Sequence, residues 1–167
     1  MKKTLALAAI VATAGMATGQ TLVIDVSGAQ SFGFQGDPIN EIMNVLVGAG
    51  ANITNIAWDV NLTTFGVSWA EENTMGFFGN SVAINPGLGD AFTVINANYA
   101  GSMATNFTLG GDGNLDIEFY EVGFDDNAGA VDSLYESGST VTITYTPAPS
   151  ALAVLGLGGL VAGRRRR

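Results

Sequence analysis

The 167-residue chain has no cysteine and no histidine. Their absence removes disulfide frameworks, thiolate nucleophiles, His-based catalytic triads and the usual Cys/His zinc sites. Basic residues are nearly as scarce. The six present are Lys2, Lys3, Arg164, Arg165, Arg166 and Arg167, all at the ends. The fifteen acids run from Asp25 to Glu136, so the interior sets fifteen acids against no base inside a net charge of −9. No Lys or Arg salt bridge can form within that body. Each acid there must be solvated, hydrogen-bonded or neutralised by an external cation. Nucleic acid is not an expected partner, because such a surface repels phosphates. The length suits one domain rather than two.

The ends read as addresses. Lys2 and Lys3 precede an apolar run over residues 5–14, followed by small residues. Ala17 and Gly19 stand at the −3 and −1 positions of a cut before Gln20. A basic start, a short apolar run and a small-x-small site are the parts of a secretory signal peptide, assigned here to residues 1–19. Ten apolar residues rise about 15 Å as a helix, half of a bilayer core, which argues against a membrane span. At the other end, Pro147-Ala148-Pro149-Ser150 leads into an apolar run over residues 151–163 and then the four arginines. That run reaches about 20 Å as a helix, short of the roughly 30 Å core. The arginines would stay on the cytoplasmic side. The tail would then hold the body outside while anchored transiently in the membrane.

A Pro-x-Pro motif, a short Ala/Leu/Gly-rich run and a terminal Arg cluster together resemble the PEP-CTERM sorting signal of bacteria. Pro147 and Pro149 match its two prolines, and Ala148 stands where Glu is usual. Residues 152–160 match the apolar segment, and Arg164 to Arg167 the basic end. The resemblance implies recognition and processing by an exosortase, after export through the secretion machinery, and delivery to the cell surface or extracellular matrix. A sortase signal, Leu-Pro-x-Thr-Gly, is absent.

Between the addresses lie residues 20–146. Leu22, Ile24 and Val26 alternate with Val23 and Asp25. Ile56, Trp58, Val60 and Leu62 alternate with Ala57, Asp59 and Asn61. Leu115, Ile117 and Phe119 alternate with Asp116, Glu118 and Tyr120. Val141, Ile143 and Tyr145 alternate with threonines. Each is a half-buried strand pattern. Phe77-Phe78 and residues 81–85 suggest a strand pair around Gly79-Asn80, while residues 40–47 fit a short helix or a strand. Gly, Asn, Asp and Pro clusters punctuate these runs. The expectation is an all-β, antiparallel, jelly-roll-like β-sandwich followed by a short C-terminal sorting helix. The body also resembles other small exported domains carrying this tail, through Trp58-Asp59-Val60, residues 68–71, residues 115–121 and Asp125-Asp126. Those relatives imply a β-sandwich without an assigned activity.

The chemistry open to these residues is that of carboxylates. Asp112, Asn114 and Asp116 supply oxygens at alternate positions, as calcium loops do, and Asp125, Asp126 and Asn127 form a second oxygen-rich loop. Calcium is thus the one cofactor entertained. The twelve-residue calcium pattern is incomplete, since its last position is Gly123 rather than Glu. A glycosidase would need two carboxylates about 5–9.5 Å apart, and Asp116 with Glu118 on one strand face is the best pair. Alternating acids are more often the wet face of a sheet. Sugar binding, for instance to an extracellular polysaccharide, would draw on Trp58, Trp69, Tyr99, Tyr120 or Tyr135, with Trp58 expected in the core beside Val60. The reading is a non-enzymatic surface or matrix protein with an adhesive or structural role. A calcium-dependent carbohydrate-binding module is the alternative, and a small carboxylate glycosidase a remoter one.

Overall fold

The computed structural model describes residues 19–123 and 129–148. They form an all-β sandwich of two antiparallel sheets. The first sheet contains β1 (Gln20–Asp25), β2 (Gln30–Ser31), β4 (Asn52–Thr64), β7 (Ala97–Thr108), β9 (Ser133–Tyr135) and β10 (Thr140–Thr146). The second is ordered β3-β8-β5-β6, with β3 at Glu41–Leu46, β5 at Asn73–Phe77, β6 at Val82–Ile84 and β8 at Asn114–Glu121. The chain passes back and forth between the sheets in the manner of a jelly roll. Within the stretch over residues 40–47, Glu41–Leu46 is a strand. A three-residue 3-10 turn, Ala70–Glu72, is the helical element among the described residues.

β4 is the spine of the first sheet. β10 and then β9 pair along one side of it, and β7 pairs along the other. Ile56, Val60 and Leu62 point inward, as their spacing of two requires, and each is fully buried. Ile53 breaks that parity but is buried too. The register against β10 slips there, with Thr54 as the extra residue, and its Oγ1 donates to the Thr144 carbonyl at 3.1 Å. One inserted residue turns the strand over, so Ile53 reaches the core. Facing it, Leu115, Ile117 and Phe119 of β8 and Met75 and Phe77 of β5 complete the core. Phe119 meets Tyr135 edge-on at 5.0 Å between ring centres, bridging the sheets. Phe78 stacks on Phe107 at 5.3 Å and closes one flank.

The expected strand pair around Gly79-Asn80 is β5 and β6. Phe78, Gly79 and Asn80 all have positive φ, between 54° and 61°. A left-handed run of three turns the chain within four residues. Trp58 packs against the core on the Val60 side and is half-buried. Its indole lies across β7 where the opposing residue is Gly101, and a Cβ there would meet the ring at 2.5 Å.

Candidate functional site

β8 carries the carboxylates singled out in the sequence. Asp116 and Glu118 share its outward face, and each accepts hydrogen bonds from a loop. Asp116 Oδ2 accepts the Gly79 N–H at 2.7 Å, and the Asp116 carbonyl accepts the Phe78 N–H at 3.0 Å. Asp116 therefore holds the left-handed β5–β6 turn. Glu118 Oε1 accepts the Gly36 N–H at 2.6 Å and Asn40 Nδ2 at 3.1 Å. It fastens the loop that enters β3. The two acids reach in opposite directions, one to each neighbouring strand.

The same economy holds elsewhere. Glu41 accepts Gln30 N–H, Glu72 accepts Trp69 N–H, Asp59 accepts Asn98 Nδ2, and Glu136 accepts Thr63 Oγ1, all within 2.7–3.0 Å. Asp25 accepts the Ser27 N–H at 2.9 Å. Hydrogen bonds from the Ser27 side chain and backbone hold its carboxyl below the usual carboxylate range. With no cation in the body, amides and hydroxyls supply the donors.

The expected calcium loop is the β7–β8 connection. Asn114 donates to Asp112 through its backbone N–H and its Nδ2, both at 3.4 Å. The Gly113 carbonyl accepts the N–H groups of Val47 and Gly48 at 2.9 and 3.0 Å. Gly113 has φ +70°, and a Cβ there would sit 2.4 Å from the Ala49 nitrogen. The loop is thus docked on residues 47–51, with Asp116 turned away toward Gly79. Among the described residues no three acids gather as a metal site. Asp125 and Asp126 lie outside the described residues.

The aromatic candidates divide by burial. Tyr135 and Tyr120 are buried, so neither offers a stacking platform. Tyr120 lies across Gly76 and donates to Asn80 Oδ1 at 2.8 Å. Burial pushes its hydroxyl pKa up, and nearby Glu118 adds to that, against the Asn80 hydrogen bond. Tyr99 donates to Asp90 Oδ2 at 2.5 Å, and burial with the Asp90 contact pushes its pKa up to about 12. Trp69 is 43% exposed and keeps its ring available.

A buried polar cluster went unread in the sequence. The Oγ atoms of Ser31 and Ser133 are 2.7 Å apart, Asn73 Nδ2 donates to Ser133, and the Tyr135 hydroxyl donates to Asn73 Oδ1. Burial drives the Tyr135 pKa strongly upward. Glu121 and Asp132 are buried as well, and Ser68 Oγ donates to Asp132 at 3.3 Å. The hydrogen-bonded members come from β2, β5 and β9, far apart in the chain, so no local spacing marks them.

The two ends of the sandwich differ. Gln20 pairs with Tyr145, Tyr145 pairs with Ile53, and the Tyr145 hydroxyl donates to Gln20 Oε1 at 2.9 Å. Ala148 lies beside Gly50. The first and last described residues therefore lie at one pole of the sandwich. At the other pole, about 40 Å away along the thirteen residues of β4, two loops run side by side. Thr64 N–H bonds to the Val94 carbonyl and Ala70 N–H to the Phe92 carbonyl, at 2.9 and 3.0 Å. These loops expose Phe65, Val67, Trp69, Leu88, Phe92 and Ile95.

No protein-family model matches the chain, and the comparison with characterised proteins finds no match. Among solved structures, the VP2 subviral particle protein of infectious bursal disease virus is similar over 80% of this chain and 34% of its own, at 13% identity and TM-score 0.38. Dimeric latent PorU from Porphyromonas gingivalis is similar over 81% of this chain and 14% of its own, at 8% identity and TM-score 0.40. The coat protein of Tobacco streak virus is similar over 77% of this chain and 88% of its own, at 14% identity and TM-score 0.25. The chain spans about a third or less of the first two.

Proposed function

We propose that the chain is an exported, non-enzymatic protein of the cell surface or extracellular matrix. A signal peptide over residues 1–19 carries it out. A PEP-CTERM-like tail over residues 147–167 holds it in the membrane for processing by an exosortase. The acidic sandwich over residues 20–146 is displayed outside in an adhesive or structural role. The observation that supports this reading most is that the first and last described residues lie at one pole. Two membrane-directed segments leaving together can address one bilayer while the sandwich projects from it. The expected cut before Gln20 also falls at the first residue of β1, so it removes nothing from the sheet. Gly19 and Gln20 are exposed, which leaves that bond open to a peptidase. Among the described residues no helix is long and apolar enough to cross a membrane, and the tail beyond Ala148 lies outside them.

The opposite pole supports an adhesive role. Six large apolar side chains on adjacent loops are a contact surface that a monomer in water does not need. The carboxylates of β8 bear on the enzymatic alternative. Asp116 and Glu118 each hold a loop rather than face one another across a cleft.

Intact mass of the protein from a surface fraction tests the proposal. The expected species begins at Gln20 and has lost the tail. Replacing Arg164, Arg165, Arg166 and Arg167 by Ala should shift accumulation away from the surface. Native protein found in the cytosol from Met1 to Arg167 would refute the reading.

A further inference from the structure

We infer that the free edge of β7 is a self-association surface, along which two copies of this chain pair antiparallel across a two-fold axis, making one continuous sheet of both molecules. This inference stands apart from the export reading and survives its failure.

Among the described residues the sandwich has five edge strands, and four are guarded. β2 and β6 have two and three residues. β1 and β3 have six each and carry Asp25 and Glu41. Short length and charge are the ordinary means of keeping edges from pairing. β7 has neither guard. It is twelve residues long, among the described residues it pairs with β4 alone, and it contains no charged residue and no proline. The charge-free interval extends over residues 91–111, the longest stretch between consecutive acids of the body. Its one irregularity is a register slip, where Ile53 faces Phe107 and Asn55 faces Ala104. Below that slip, residues 97–104 pair with β4 without interruption, leaving a regular eight-residue edge.

The charge pattern selects the occupant. Any two copies carry the same surplus of acids and no cation between Lys3 and Arg164. Contact through an acid-bearing surface sets like charges within a Debye length, about 8 Å at physiological salt. β7 brings no acid of its own to such a contact; the carboxylates nearest it, Asp59 and Asp90, are set back from the edge and already held by Asn98 and Tyr99. The outward side chains there are small, Asn98, Ala100, Ser102 and Ala104, so nothing bulky blocks close approach. An antiparallel pair of identical strands is self-complementary, which closes the assembly as a dimer. Main-chain hydrogen bonds supply the attraction, as in strand addition generally.

Sedimentation of the full chain over a concentration series should show the mass of one copy giving way to two. Added salt should strengthen the association by screening acids elsewhere on the two copies. Ser102→Asp places like charges near the two-fold axis, and the dimer should weaken at least about tenfold. At concentrations low enough that both are monomeric its thermal unfolding should match the parent's, because Ser102 is exposed. The chain has no cysteine, so a single introduced thiol reports by itself. Among Asn98→Cys, Ala100→Cys, Ser102→Cys and Ala104→Cys, disulfide dimers should peak at the positions nearest the axis, and Asn44→Cys on β3 should give none. One-copy mass at every concentration and salt would overturn the proposal. So would a dimer that keeps its affinity in Ser102→Asp, or cross-linking as strong through Asn44→Cys as through β7.

Discussion

β7 and β8 are consecutive strands in opposite sheets, joined by the loop over residues 109–113, and they handle charge in opposite ways. β8 lies inside its sheet and carries Asp116, Glu118 and Glu121. Asp116 and Glu118 accept backbone N–H groups from the turns on either side. β7 lies at an edge and carries no charge. In a body without cations, carboxylates are held where amide donors converge. A strand interior to a sheet has loops folding over it from both neighbours and so finds those donors. An edge strand has them on one side only. β7 thus adds no charge of its own to an anionic molecule, although its Asn98 and Tyr99 hold the neighbouring Asp59 and Asp90.

The largest expected effect tests how closely β7 is fitted to β4. Gly101→Ala drives a methyl into the Trp58 ring and should cost about 2–3 kcal/mol. Ser102→Ala, one residue on and facing water, should stay within about 0.5 kcal/mol. Urea unfolding compares the two, and similar losses at both positions would contradict the packing described. On β8, Glu118→Ala abandons two donors and should cost about 1–2 kcal/mol, whereas Asp116→Ala abandons one side-chain contact and should cost less, about 1 kcal/mol. A reversed order would show that Asp116 holds the more important turn.

Alkaline pH separates the strands by a different route. Tyr99 on β7 and Tyr120 on β8 both have raised pKa values, as does Tyr135 on β9. A raised folded-state value means that the unfolded chain ionises first. The stability these tyrosines contribute is whole below about pH 10 and is lost as pH climbs toward the folded values, about 12 for Tyr99. Melting temperature should therefore fall above pH 10, with tyrosinate absorbance rising as the protein unfolds. Flat stability to pH 12 would contradict the burial of these rings. The smallest effect is local. Asp90→Asn removes the charge beside Tyr99 but leaves it buried, so its pKa should fall only partway from about 12 toward 10.

Much of the sandwich was legible because its inner strands repeat apolar residues with period two. Ile56-Trp58-Val60-Leu62 and Leu115-Ile117-Phe119 are examples, and both lie where expected. β7 was not legible. Its inward set includes Ala97, Gly101 and Thr105, and its outward set includes Ala100 and Ala104. Tyr99, Met103 and Phe107 also point inward, but the small residues between them leave a large apolar side chain only at every fourth position, which blurs the period of two. The stretch over residues 40–47 was open between helix and strand because Ile42 and Leu46 are apolar yet exposed, 54% and 73%, on the outer side of β3. Of the candidate chemistry, residue types and spacing suggested ligands, but Asp116 and Glu118 serve as loop anchors.

By itself, the order of residues determined the segregation of charge: cations confined to both ends, acids to the middle, and with them a body that must satisfy its carboxylates by hydrogen bonds. It also determined most strands, because period-two patterning is a local property. Tertiary structure alone decided which acids meet which donors, that the first and last described residues lie at one pole, and that the uncharged strand lies at an edge. Those outcomes depend on pairings between residues far apart in the chain, such as Gln20 with Tyr145 and Asn55 with Ala104. Local spacing carries no record of them.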